Sequence, residues 1–245
     1  MLKKRIIISL TFLDGVLFRT KKFVPDYRYT KNFIDLWSVD EIILIDISKN
    51  KIKKNFLDIV KFFIKNCHLP ITVGGGIFSV IDAAKFFDLG VEKVIINTGS
   101  YYDKNLHERL SKIYGTSSII HAIDCKKNDK NYEILIENGK KLIEESFLEY
   151  IKKINNFNIG EILINSINND GGLLGYDLNL IDTVSNVVEK PIIVTGGAGN
   201  WHHILSVLKK KKISAASTQN IYHFTNDSIK SLKNFLKENN IPVRR

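Results

Sequence analysis

Glu41-Ile42-Ile43-Leu44-Ile45-Asp46-Ile47 returns about 120 residues later as Glu161-Ile162-Leu163-Ile164-Asn165-Ser166-Ile167. Each copy opens on a glutamate and continues as a short apolar run, the pattern of a buried strand in a parallel sheet. Pro70-Ile71-Thr72-Val73-Gly74-Gly75-Gly76 returns as Pro191-Ile192-Ile193-Val194-Thr195-Gly196-Gly197, and Val94-Ile95-Ile96-Asn97-Thr98 returns as Ser214-Ala215-Ala216-Ser217-Thr218. Repeats of this length describe two half-domains, each with its own strands and ligand loops. The opening strands correspond too, Arg5-Ile6-Ile7-Ile8-Ser9-Leu10-Thr11 against Ile119-Ile120-His121-Ala122-Ile123-Asp124. The second ends in a carboxylate where the first ends in Thr11.

Working outward, β-branched runs alternate with longer amphipathic stretches along the whole chain, as in β/α units around a parallel sheet. The expected strands are 5–10, 41–46, 71–74, 93–97, 118–124, 160–165, 191–195 and 214–217. Helices are expected around 30–38, 55–66, 80–89, 106–114, 146–155, 178–187, 201–210 and 226–238. An Asn138-Gly139 turn predicts a hairpin of 132–137 and 140–143 in the loop after the fifth strand, because Asn-Gly supplies the positive φ of tight hairpins. Eight strands, eight helices and a half-length repeat predict an α/β protein, a single (β/α)8 TIM barrel over 1–245 with half-barrels of about 1–115 and 116–240. An open doubly wound sheet would want G-x-G-x-x-G after the first strand, and the chain has none there. In a barrel, the active groups belong at the carboxyl ends of the strands.

Composition agrees with one large core, since the chain has 245 residues and is 44% hydrophobic. No apolar run is long enough to cross a bilayer, and residues 1–5 lead straight into a strand without a cleavage signal. Cys67 and Cys125 are too isolated to suggest a disulfide framework or a metal site. The expectation is a reduced, cytoplasmic protein without metal, cofactor or membrane contact. A net charge of +10 would suit nucleic acid, a phosphorylated ligand or an acidic partner. The lysines are spread among many Ile and Asn without a basic stripe interleaved with aromatics, so nucleic acid is not expected.

Gly74-Gly75-Gly76 and Gly196-Gly197-Ala198-Gly199 follow the third and seventh expected strands, where missing side chains let backbone N–H groups approach an anion. Asn97-Thr98-Gly99-Ser100 and Ser217-Thr218-Gln219-Asn220 follow the fourth and eighth and add hydroxyl, amide and helix N-terminal donors. Gly75, Gly76, Asn97 and Thr98 in one half face Gly196, Gly197 and Asn220 in the other, so a ligand with two phosphates is the natural inference. Proton transfer at a barrel mouth typically uses opposed carboxylates. Asp124 supplies one, whereas Thr11 has no useful proton affinity near neutral pH. Asp14, Asp46 and Asp170 lie nearby, with loop hydrogen bonding as their ordinary role.

Arg5, Glu41, Lys93 and Glu161 begin the first, second, fourth and sixth strands and therefore meet at the amino-terminal mouth. Such charges ordinarily cap a core with a solvated ion-pair layer. Two cations and two anions around the axis would equally form a small gate for a polar molecule, and spacing does not choose between the two.

Lys4-Arg5-Ile6-Ile7, Thr72-Val73-Gly74-Gly75-Gly76-Ile77, Ile96-Asn97-Thr98, Ala122-Ile123-Asp124, Gly160-Glu161-Ile162-Leu163, Asp170-Gly171, Gly175-Tyr176-Asp177, Gly196-Gly197-Ala198-Gly199 and His223-Phe224 together resemble the cyclase subunit of imidazole glycerol phosphate synthase. The likeness runs over nearly the whole chain. It implies a (β/α)8 barrel with two phosphate sites, Asp170 and Gly171 included, and a glutaminase (glutamine amidotransferase) subunit docked at the amino-terminal face. Ammonia would pass a gate of Arg5, Glu41, Lys93 and Glu161. The family's two catalytic aspartates map to Thr11 and Asp124, and the lysine of its mobile first loop maps to Arg19. One aspartate is therefore missing, and Leu142-Ile143 stands where the cyclase has Thr-Gly. That combination is similar to cyclase-like paralogues associated with amidation of surface-polysaccharide sugars, in which a separate sugar amidotransferase consumes the ammonia. The leading expectation is thus an ammonia-conducting synthase subunit. Its alternatives are an active cyclase of histidine biosynthesis and a non-catalytic scaffold that senses a phosphorylated ligand and activates a glutaminase. His121 is expected to face the helices, Trp201 to pack, the basic run at 209–212 to form a solvated end, and 241–245 to be a loosely held tail.

Overall fold

The computed structural model describes residues 3–28, 39–48, 54–129, 131–219 and 229–244. The helix expected over 30–38, the start of the one over 226–238, and Asn220 lie outside them. Each repeated apolar run forms a strand of one closed parallel barrel. In chain order the barrel strands are β1 (Arg5–Leu13), β4 (Glu41–Asp46), β5 (Ile71–Gly74), β6 (Lys93–Ile96), β7 (Ile119–Lys127), β10 (Glu161–Ser166), β11 (Ile192–Thr195) and β12 (Ile213–Thr218). Neighbours pair in parallel, β12 pairs with β1, and the register Glu161 to Ile120 through Ser166 to Cys125 joins the half-barrels. The other strands, β2 (Val16–Lys21), β3 (Val24–Arg28), β8 (Tyr132–Ile136) and β9 (Lys141–Leu142), form antiparallel hairpins on the carboxyl-terminal side.

Period-two alternation splits each strand between two cores. Ile7, Ile43, Ile95, Ile120, Ala122, Leu163, Ile193 and Ala215 fill the barrel interior. Ile6, Ile8, Leu10, Phe12, Ile42 and Leu44 face outward into a larger core under the helices. Those helices are α1 (Lys54–Asn66), α2 (Val80–Phe87), α3 (Thr98–Tyr102), α4 (Leu106–Tyr114), α5 (Phe147–Ile154), α6 (Leu178–Val187), α7 (Trp201–Leu208) and α8 (Ile229–Glu238). Ser79, Ser146, Asp177 and Asn200 cap α2, α5, α6 and α7 by accepting from the N–H three residues on. Such caps fix where a helix begins, and each contributes about 1 kcal/mol.

Besides the short helix α3, which was not expected, the structure departs from the sequence expectations at three places. The first loop is a hairpin, β2–β3, entered through Asp14 and Gly15 at φ 49° and 84°, a positive-φ pair that Asp-Gly favours. The fifth barrel strand runs on to Lys127, so the expected hairpin is the outer part of a three-stranded ribbon. The tail is not loose. Ile241 and Val243 are buried, the Lys4 N–H donates to the Pro242 carbonyl, and Lys4 and Val243 bridge in parallel. Apolar side chains at two positions of a five-residue terminus were enough to dock it. Lys4 also holds the basic run, its ammonium donating to the carbonyls of Lys210, Lys211 and Ile213.

Candidate functional site

The inward positions of the strands stack three layers along the barrel axis. At the amino-terminal end the Arg5 guanidinium donates to both oxygens of Glu41 (2.8 and 3.0 Å) and to Glu161. The Lys93 ammonium lies 2.8 Å from Glu161 Oε2 and 3.9 Å from Glu41 Oε2. Arg5, Glu41 and Glu161 are all buried, while Lys93 is partly exposed, so this ion-pair layer is largely shielded from solvent. Burial alone would raise the Glu161 pKa, yet Arg5 and then Lys93 hold it below the ordinary range. Glu161 therefore stays ionised, and the cluster forms a charged plug at this end of the barrel. Two members were not legible in the sequence. Ser214 Oγ accepts from Arg5 (3.0 Å) and donates to Glu161 (3.2 Å), and Arg244 of the docked tail lies 3.9 Å from Glu41.

Above the plug lies the apolar interior layer. Above that opens a cavity of about 720 Å³ at the carboxyl ends of the strands, whose lining includes Ile95, Ala122 and Leu163 of that layer. Thr11, Asp124, Gly75, Gly76, Asn97, Thr98, Asp170, Gly171, Gly196 and Gly197 all line it. The two glycine loops follow β5 and β11. Gly75 has φ 104°, and a Cβ there would fall 2.1 Å from the Asp46 carbonyl oxygen. Only glycine lets this loop cross the end of β4 so closely.

Asp124 lines this cavity and is held from two sides. Asn97 donates to Asp124 Oδ2 (2.6 Å) and Asn165 to Oδ1 (3.3 Å). Asn97 thus meets the carboxylate, a contact the sequence reading did not foresee, and Asn165 was missed altogether. Burial raises the Asp124 pKa to about 7, with the Asn165 and Asn97 hydrogen bonds opposing and the charge of Asp170 adding to the rise. A carboxyl with that affinity both gives and takes a proton near neutral pH. Thr11 is buried and lines the same cavity, so the β1 position corresponding to Asp124 offers a hydroxyl. Asp46 and Asp170 serve their loops: Asp46 accepts from the Ser48 N–H and Asp170 from the Phe23 N–H. Asp14 is not among the cavity-lining residues. Its N–H donates to Ser48 Oγ.

Hairpin β2–β3 reaches over the mouth. The Lys22 N–H donates to the Asp170 carbonyl (3.1 Å), Gln219 donates to the Phe18 carbonyl (2.7 Å), and Thr20 and Phe23 join the lining. Arg19 pairs with Asp26 across the hairpin. On the other side the Glu137 N–H donates to Thr98 Oγ1 (2.9 Å) and Asn138 to the Ile47 carbonyl (3.1 Å). His121 points outward as expected, fully buried with Nε2 3.1 Å from the Tyr150 hydroxyl, and Trp201 packs on Phe235.

A family model described as histidine biosynthesis protein matches residues 10–227 of this barrel. The chain belongs to that family. Its curated relatives include the imidazole glycerol phosphate synthase subunit HisF of Natranaerobius thermophilus, 34% identical over the whole of both chains. HisF of Hydrogenobaculum sp. is 35% identical, again over the whole of both. HisF of Pyrococcus furiosus is 33% identical over all of this chain and 99% of its own. The chain is thus HisF-like from end to end. No helix among its described residues is long and apolar enough to cross a membrane.

Proposed function

We propose that this HisF-like chain is the barrel subunit of a glutamine-dependent synthase of the imidazole glycerol phosphate synthase type. Ammonia released by a glutaminase docked on the amino-terminal face passes the charged plug and rises through the apolar layer. It meets a phosphorylated acceptor in the mouth. The observation that carries this reading is the coaxial order of buried plug, apolar interior and Asp124 cavity in one barrel. An apolar stretch admits neutral ammonia and resists ammonium, whose desolvation is costly. The glycine loops and the Thr98 hydroxyl would receive the acceptor's two phosphates, with Asp170 and Gly171 beside them, while Asp124 exchanges the proton. End-to-end similarity to HisF subunits supports the cyclase role of histidine biosynthesis over assignment to polysaccharide amidation.

One observation favours a second reading. With Thr11 at the position that pairs with Asp124 in the repeat, the mouth lacks a second carboxylate there, and loss of an acid/base partner typically costs ~10²–10⁴-fold in rate. Under this reading the barrel conducts ammonia to a separate amidotransferase, such as one acting on a polysaccharide sugar. Incubating the purified chain with the cyclase family's bisphosphate aminoimidazole-precursor substrate and excess ammonium separates the two. Turnover abolished by Asp124→Asn supports the cyclase. No turnover from a folded chain, with activity appearing in Thr11→Asp, supports delivery to another enzyme.

A further inference from the structure

A second cavity, of about 430 Å³, opens outside the barrel wall between α3 and α5. It falls within the size range of small-molecule sites. Its walls are the rings of Tyr101, Tyr150 and Phe157 together with Ile143, and its rim carries Lys104, Glu144, Glu145 and Lys153. Lys153 is paired with Glu145, whereas Lys104 and Glu144 have no ion pair among the described residues. Phe157 is stacked on the buried His107 ring, centroids 5.0 Å apart, and the Tyr150 hydroxyl is held by His121. Two of the three aromatic walls are therefore fixed from behind, as a preformed site requires.

An aromatic interior takes a flat ring. A rim bearing one unpaired cation and one unpaired anion takes a ligand bearing both charges. We infer that this side cavity is a second ligand site, for a free aromatic α-amino acid, with its ring between Tyr101, Tyr150 and Phe157, its carboxylate toward Lys104 and its ammonium toward Glu144. The site borders the mouth through one short element. Ser100 and Tyr101 of α3 line the side cavity, while Thr98, Gly99 and Tyr102 of the same helix line the mouth. Asn97, immediately before α3, holds Asp124. A ligand here thus bears on the loop proposed to hold a phosphate, whichever acceptor the mouth takes.

The test is titration of the full chain with L-phenylalanine, followed by the ¹⁵N-resolved shifts of Tyr101 and Tyr150. Saturation is expected with a Kd of about 1 mM or tighter. L-Alanine, without a ring, and phenylacetate, without an ammonium, are expected to bind at least about tenfold more weakly. Lys104→Glu and Glu144→Lys are changes at exposed positions, and each should weaken L-phenylalanine about tenfold. No saturation by about 20 mM, equal binding of L-alanine, or affinity unchanged in both charge reversals would overturn the assignment. None of these outcomes depends on ammonia transfer or cyclase turnover.

Discussion

Asp124 holds its proton up to about pH 7 because it is buried, whereas the same carboxyl in an unfolded chain ionises near pH 4. Between those values the folded chain binds a proton the unfolded chain has released, so this residue's contribution to stability falls as pH rises through the window. Asp124→Asn removes the penalty. It should stabilise the fold by about 2 kcal/mol at pH 8, read as a Tm rise of about 4–8 °C, with a smaller gain at pH 5. Gly75→Ala acts in the opposite direction. Its Cβ would meet a backbone oxygen at 2.1 Å in a positive-φ conformation, and a loss of about 3 kcal/mol or more is expected in urea unfolding. Asp124 and the glycines were legible because strand alternation and loop position identify them one at a time. Asn165 was not, since its meaning lies in the β7–β10 pairing that sets it beside Asp124.

Among the elements, the β2–β3 hairpin and the carboxyl-terminal tail changed most between sequence and structure. A local signal marked the hairpin's entry, Asp14-Gly15 between Leu13 and Val16, and the β1–β2 turn obeys it, whereas the hairpin's own turn is Lys22-Phe23 at φ 50° and 67°. What it covers was not local, because its partners Asp170 and Gln219 lie far along the chain. The tail had no signal of its own. Ile241 and Val243 look like a frayed end until Lys4, at the other terminus, supplies the backbone partner. Deleting 241–245 removes both apolar side chains and uncovers the surface they bury, and should cost about 3 kcal/mol, seen as a lowered Tm. It also removes Arg244 from the plug.

At the scale of the whole molecule, the plug and the mouth lie at opposite ends of the barrel axis, with the apolar layer between them. Lys93→Met removes one cation while Arg5 still bridges both glutamates. In a reconstituted complex it should uncouple glutamine hydrolysis from product while leaving product formation from added ammonium intact. Unchanged coupling would count against passage through the plug. The buried His107 and His121 pair contributes to the acid sensitivity of the fold. Burial lowers His107 to about 4, and burial plus the neighbouring ring holds His121 well below its ordinary value. Unfolding therefore takes up protons below about pH 6.5, and stability should decline as pH falls from there toward 4. Measuring Tm in the Asp124→Asn background removes the opposing slope of that carboxyl, and His107→Leu should flatten the decline.

The sequence by itself determined the barrel, the strands that carry the charged plug and the ends that carry the glycine loops. Each of these follows from periodicity and repeat, which are properties of neighbouring residues. Only the tertiary structure decided that the four charges close into a largely buried, charged cluster and that Ser214 and Arg244 join it. It alone set two carboxamides on Asp124, docked the tail, and opened a second cavity beside the first. These depend on distances between residues far apart in the chain, and on burial, which converts an ordinary carboxyl into one that titrates near neutrality.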